Sequence, residues 1–308
     1  MASTIPPNKK NVALVLSSGG ARGLAHIGVL DELCDRGYNI TSIAGSSMGA
    51  FIGGLYATGN LDKFRDWVIS LDKLNILKLV DFTLSKQGFV RGEKVFEKMQ
   101  ELKMIPDVNI EDLPLKYTAI ATDIINNKEV IFESGDLHKA IRASISIPNI
   151  FTPVEHNGTY LVDGGVLNPL PLNRVAKADG DIVIAVDVNS IVPYERPILP
   201  PTKKELEKLH KEKLSKISEK WDLLFNHSNS NGLDKSEKKS KIGYFEILVN
   251  TVQLMQYKLS SYSIEKYPPD VLVNISKNSG SIFEFYKGTE FIAYGRAACS
   301  KALAEKGL

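Results

Sequence analysis

The stretch NVALVLSSGGARGLAHIGVL, residues 11 to 30, sets the architecture. Val12 to Ser17 is a short apolar run, the pattern of a strand covered on both faces. Ala21 to Arg36 carries apolar residues at Leu24, Ile27, Leu30 and Leu33, which is helical spacing. A glycine turn joins them. The same unit recurs at once, with a strand near Ile40 to Ala44, a Gly/Ser turn, and a helix from Met48 through Tyr56. Further strand-like runs at Tyr117 to Ala121, Val130 to Phe132, Tyr160 to Val162, Ile182 to Val186 and Val271 to Ile275 alternate with helical patterns. This alternation predicts an α/β fold, a three-layer α/β/α sandwich around a largely parallel sheet.

Composition narrows the rest. A chain of 308 residues, 43% apolar and 24% charged, can bury one large core and carry an insertion. The net charge of +2 is too small to attract nucleic acid, and no such partner is expected. Cys34 and Cys299 are too few for a disulfide framework or a thiolate metal site and read as buried structural thiols. The lysines before Val12 resemble the start of an export signal. The apolar run that follows ends in Ser-Ser-Gly-Gly-Ala-Arg instead of a cleavage site, so it reads as the first strand. Together these features predict a cytoplasmic setting. Gly37 to Leu61 is uncharged, long enough to span a bilayer, and has Gly45, Gly49 and Gly53 in small-xxx-small spacing. Its many Gly, Ser, Thr and Asn residues argue against hydrocarbon.

Residues 202 to 241 hold 11 lysines against 7 acids and interrupt the α/β pattern. Leu206, Leu209, Ile217, Trp221 and Leu224 form an approximate stripe, Asn226 to Gly232 reads as a polar loop, and a second amphipathic helix is expected from Ile242 to Tyr262. This lysine-rich helical arm is either a solvated excursion or a basic surface that rests transiently on anionic lipid, on the inner face of a membrane. The expected organisation is one domain over residues 1–308, with a catalytic core at 10–190, the arm at 202–262, and a closing strand and helix at 263–308.

Gly45-x-Ser47-x-Gly49 lies between a strand and a helix. There a hydroxyl can protrude from a sharp turn while the two glycines relieve crowding, and the helix N-terminus favours developing negative charge. A nucleophilic serine also needs donors for an oxyanion, and Ser18-Gly19-Gly20-Ala21-Arg22-Gly23 supplies a glycine-rich turn at the same sheet edge. The competing dinucleotide reading of that turn lacks an acid near the end of the second strand, where Ala44, Gly45 and Ser46 stand. For the base, His26 and His138 fall in helical patterns, His156 precedes an Asn-Gly turn, and His210 and His227 belong to the arm. Asp163 is the better partner. Tyr160-Leu161-Val162 delivers it to a strand end, and Gly164 and Gly165 leave room for another loop. At neutral pH it needs partial desolvation to act as a base.

Taken together, SSGGARGLAHIGVL at 17 to 30, GSSMGA at 45 to 50 and DGGVLNPLP at 163 to 171 resemble the patatin-like phospholipase family, in the family's order. ASISIPNIFTPV at 143 to 154 is similar to the segment preceding the family's aspartate. The resemblance implies acyl-ester hydrolysis of lipids by a Ser/Asp dyad, through an acyl-enzyme and without metal or cofactor. It makes Ser47 the nucleophile and Asp163 the base, with Gly19, Gly20, Ala21 and Arg22 lining the oxyanion loop. Gly23, Gly45, Gly49, Gly164 and Gly165 support these motifs. Ser18 stands where the family usually has another glycine. The alternative is a lipid-binding or scaffold protein that keeps the fold without turnover.

Overall fold

The computed structural model describes residues 10–72, 98–99, 101–148, 150–197, 199 and 244–308. The chain divides into two units, Met1–Pro197 with Val249–Leu308, and Ile198–Leu248. The arm at 202–241, with its apolar stripe, polar loop, His210 and His227, lies outside the described residues, as does the segment before Lys10.

Within the larger unit, eight strands form one sheet among the described residues. They are β1 (Asn11–Leu16), β2 (Asn39–Ser46), β3 (Lys116–Asp123), β4 (Lys128–Phe132), β5 (Val154–His156), β6 (Thr159–Asp163), β7 (Ile182–Ser190) and β8 (Val271–Ser276). The order is β5-β6-β3-β2-β1-β7-β8, with β4 also on β3. The five strands from β3 to β8 are parallel, while β4, β5 and β6 pair antiparallel at one side. Helices α1 (Ala25–Asp35), α2 (Met48–Ala57), α3 (Leu61–Ser70), α4 (Leu137–Ser144), α5 (Tyr244–Lys266) and α6 (Gly288–Glu305) accompany them.

Strand alternation sorts the core into two faces. Leu14 and Leu16 of β1 pack with Ile27 and Leu30 of α1, Phe51 and Leu55 of α2, and Phe291 of α6. Val15 and Ala185 face the other way, onto Leu170, Leu172 and Ile264 of α5. Helices therefore cover both faces, which is the three-layer α/β/α arrangement expected. The uncharged stretch Gly37 to Leu61 becomes β2 and α2, inside this core. Among the described residues no helix is long and apolar enough to cross a membrane.

Three details differ from the sequence reading. Cys34 is exposed, because it follows Leu33 by one position and so turns roughly 100° off the buried stripe of α1. The first helix opens as a tighter 3-10 turn over Gly20–Leu24 before α1 begins. Finally, α5 turns polar residues inward. Gln253, Gln256, Ser260 and Ser263 face the protein, while Val252, Leu254 and Met255 are exposed. Gln253 accepts from Arg22, Gln256 donates to the Gly165 carbonyl and Ser263 to the Leu170 carbonyl, contacts an apolar stripe could not make.

One piece of sheet topology matters most. Along β3, residues 119–123 pair with β4 on one edge. The other edge is shared: β2 pairs up to Ser46 opposite Ile120, and β6 pairs down to Asp163 opposite Ala121. The carboxyl ends of β2 and β6 thus meet head to head beside β3. The hairpin β5–β6 that aims β6 this way turns on Asn157 (φ 50°) and Gly158 (φ 77°), the two successive positive φ values that an Asn-Gly hairpin turn requires.

Candidate active site

Ser47 immediately precedes α2, with φ 55° and ψ −122°, in the left-handed half of backbone space. A side chain on Gly49 would collide with the Leu16 carbonyl, and one on Gly45 with the Gly49–Ala50 backbone. Only glycines let α2 start this close to β1 and β2. The Ser47 hydroxyl donates to Asp163 Oδ2, and its amide donates to Ser144 Oγ at 2.9 Å. Ser47 and Asp163 are 3% and 4% exposed, so their hydrogen bond is shielded from water.

Asp163 is held on its other oxygen by the Gly165 amide at 2.7 Å, and its own amide donates to the Ser146 carbonyl at 2.9 Å. Burial pushes its carboxyl up to about 7, against the opposing pull of the Ser47 hydroxyl and the Gly165 amide. A side chain on Gly164 would meet the Ile120 carbonyl of β3. At Gly165 it would crowd Gln256 Nε2 at 2.7 Å, Ser18 Oγ at 2.8 Å and Asp163 Oδ1 at 2.9 Å. Ser18 therefore lies beside the aspartate turn, where its buried hydroxyl has no protein partner among the described residues.

The glycine-rich loop sits against the start of α2, since a side chain on Gly23 would strike Met48. Its four expected residues behave differently. The amides of Gly19 and Gly20 donate to no protein acceptor among the described residues, whereas the Ala21 amide is taken by the Ile282 carbonyl at 2.9 Å. The Arg22 side chain turns away into the protein and is 2% exposed. It donates to the carbonyls of Lys277 (3.2 Å) and Gly280 (3.3 Å), to Asn189 Oδ1 (2.7 Å) and to Gln253 Oε1 (3.2 Å). Burial lowers its pKa to about 10, with Asp187 pulling the other way, so it stays cationic at neutral pH.

The described histidines take other partners. His26 is fully buried, donates through Nε2 to the Ser17 carbonyl at 2.9 Å, and is driven by burial down to about 4 despite that bond. His156 stands against Asn157 and Phe132.

Several contributors were not singled out from sequence. Ser144 and Ser146 lie in the quoted stretch 143 to 154, and between them they hold the backbone of both Ser47 and Asp163. Gln256 Nε2 donates to the Gly165 carbonyl at 3.1 Å. Asn189 is on the far end of β7, beyond the apolar run that marked that strand.

The family model described as patatin-like phospholipase matches residues 14–176. An uncharacterised NTE family protein of Mycobacterium bovis is 35% identical over 95% of this chain and 91% of its own length. The lysophospholipase NTE1 of Yarrowia lipolytica is 36% identical over 58% of this chain, a match that spans 13% of that longer protein. Among solved structures, VipD from Legionella pneumophila aligns with 97% of this chain and 67% of its own at 15% identity, with a TM-score of 0.46. With the family model covering more than half of its residues and a full-length relative at this identity, the chain belongs to the patatin-like phospholipase family, a family of lipid hydrolases.

Proposed function

We propose that this chain hydrolyses acyl esters of lipids, with Ser47 as nucleophile and Asp163 as its base. The observation that carries this reading is the buried hydrogen bond from the Ser47 hydroxyl to the Asp163 carboxylate. As Ser47 Oγ bonds to the ester carbonyl carbon, its proton passes to Asp163 and the carbonyl oxygen becomes an oxyanion facing the open amides of Gly19 and Gly20. Collapse breaks the ester C–O bond, and Asp163 returns the proton to the departing alcohol. An acyl-enzyme remains. Water then loses a proton to Asp163, attacks the acyl carbon, and releases the fatty acid with Ser47 restored. A carboxyl near 7 is a far better acceptor at neutral pH than an ordinary one near about 3.9.

Fluorophosphonate labelling tests the nucleophile. The label is expected on the peptide containing Ser47, with lysophospholipid hydrolysis lost in proportion to labelling. A protein that binds vesicles yet neither labels nor cleaves any short-chain ester would support the silent lipid-binding alternative instead. Lysophospholipids are the first substrates to try, since a relative over the catalytic segment is named a lysophospholipase.

Exposed apolar residues support contact of the site edge with a lipid surface. Ile124 and Ile125, 45% and 59% exposed, directly follow the carboxyl end of β3, and Val166 and Leu167 follow the Asp163 turn. Flotation with neutral vesicles should show binding that survives high salt and is lost in Ile124→Ser/Ile125→Ser. Binding confined to anionic vesicles and abolished by salt would assign the contact to the lysines at 203–241 alone.

A further inference from the structure

Four hydrogen bonds fix the peptide planes of the loop between β1 and α1. His26 Nε2 donates to the Ser17 carbonyl at 2.9 Å, and the Ser18 amide donates to the Pro169 carbonyl at 2.8 Å. Asn189 Nδ2 donates to the Ser18 carbonyl at 2.6 Å, and the Ala21 amide donates to the Ile282 carbonyl at 2.9 Å. A trans peptide carries its carbonyl and the next N–H on opposite sides. Drawing the Ser18 carbonyl toward Asn189 therefore turns the Gly19 N–H away from β7. Gly19 is buried, yet this amide has no protein acceptor among the described residues. Buried amides left unpaired are rare, and such a donor is available to a ligand oxygen.

Asn189 can occupy only one orientation. Arg22 Nη2, 2.7 Å from Oδ1, can only donate, and the Ser18 carbonyl can only accept, so Nδ2 must face the loop. The Asn189 amide donates to Asp187 Oδ1 at 2.9 Å, which anchors the residue from behind. Its side chain is thus pinned between Arg22 and the loop, and the residue is 4% exposed.

We infer that Asn189 is a positioning residue for the oxyanion site: by holding the Ser18 carbonyl it aims the Gly19 N–H at the oxygen that becomes charged. This rests on the reading of Ser47 as nucleophile. Asn189 touches no reacting atom, and its effect passes through one peptide plane. Asn189→Asp keeps the acceptor for Arg22 but places a second acceptor against the Ser18 carbonyl, which frees that peptide to rotate.

Steady-state kinetics on a short-chain ester test it, for wild type, Ser47→Ala and Asn189→Asp. Binding of a trifluoromethyl ketone, whose serine adduct carries an oxyanion, and thermal unfolding are measured alongside. Asn189→Asp should lose about 100-fold in kcat with KM changed less than about threefold, and ketone affinity should weaken by a similar factor. A folded variant that keeps kcat within threefold, or loses only KM, overturns the inference. If Asn189→Asp does not fold, Asn189→Ala adds no charge and carries the same comparison. Failure of both to fold counts against a role separable from folding and overturns it too. An active wild type with a silent Ser47→Ala and a normal Asn189→Asp sinks the positioning role alone. An inactive wild type sinks both readings.

Discussion

Asp163→Asn is expected to lower ester turnover by about 10⁴-fold or more, the scale on which a catalytic serine suffers when its base is removed. The same substitution should make the protein more stable at neutral pH. The first effect follows because a carboxamide cannot accept the serine proton; the second comes from burial, which pushes the carboxyl up to about 7 in the folded chain, against about 3.9 when unfolded. Between those values the folded state holds a proton that the unfolded state has released, so stability falls as pH rises through this window. Above it the ionised carboxylate costs on the order of a few kcal/mol, at about 1.4 kcal/mol per unit. Asparagine stays neutral throughout. Its stability advantage should therefore be absent near pH 4, grow toward pH 7 and level off. Wild-type kcat/KM should rise over the upper part of the same range, with an apparent pKa near 7. Melting curves and rates across that range check both. An advantage that shrinks as pH rises would contradict the buried-carboxylate account.

Ser47→Ala and Ser47→Gly should both abolish fluorophosphonate labelling and reduce turnover by about 10⁵-fold or more. They should differ in stability. With φ at 55° and ψ at −122°, Ser47 occupies a region that costs a residue with a Cβ about 1–3 kcal/mol. Alanine keeps that cost, whereas glycine relieves it and returns part of the gain through its more flexible unfolded chain. The glycine variant should come out about 1 kcal/mol more stable than the alanine variant by urea unfolding. Equal stability would mean that the elbow stores no strain. Such strain makes sense at this position, since it lifts the hydroxyl off the strand axis toward Asp163.

Much of the layered architecture could be read from local pattern. The apolar run of β1 and the spacing Leu24, Ile27, Leu30 record burial on both strand faces and on one helix stripe. The end of β7 was hidden for the opposite reason. Asp187, Asn189 and Ser190 look like loop residues, yet they are buried: the Asn189 amide and the Ser190 hydroxyl hold the Asp187 carboxylate, while Arg22 and Asn274, far off in sequence, answer Asn189 and Ser190. Polar residues whose partners are distant in sequence carry no local signature of burial. For the same reason α5 misled, since its inward glutamines answer Arg22 and the Gly165 carbonyl, more than 80 positions away.

By itself the sequence determined the strand–turn–helix units, the glycines on either side of Ser47, the Asn157-Gly158 reversal and the choice of Ser47 and Asp163 as the residues to watch. Each depends on chain neighbours within one turn or one strand, where sterics and hydrophobic period decide the outcome. Only the tertiary structure decided that β6 runs antiparallel along the edge of β3 that β2 vacates, bringing Asp163 against Ser47 across 116 positions. It also decided which loop amides stay open, because long-range acceptors such as the Ile282 carbonyl take some and leave others. Strand direction and edge sharing are settled by pairing energies summed over the whole sheet, and no short window of sequence contains that sum.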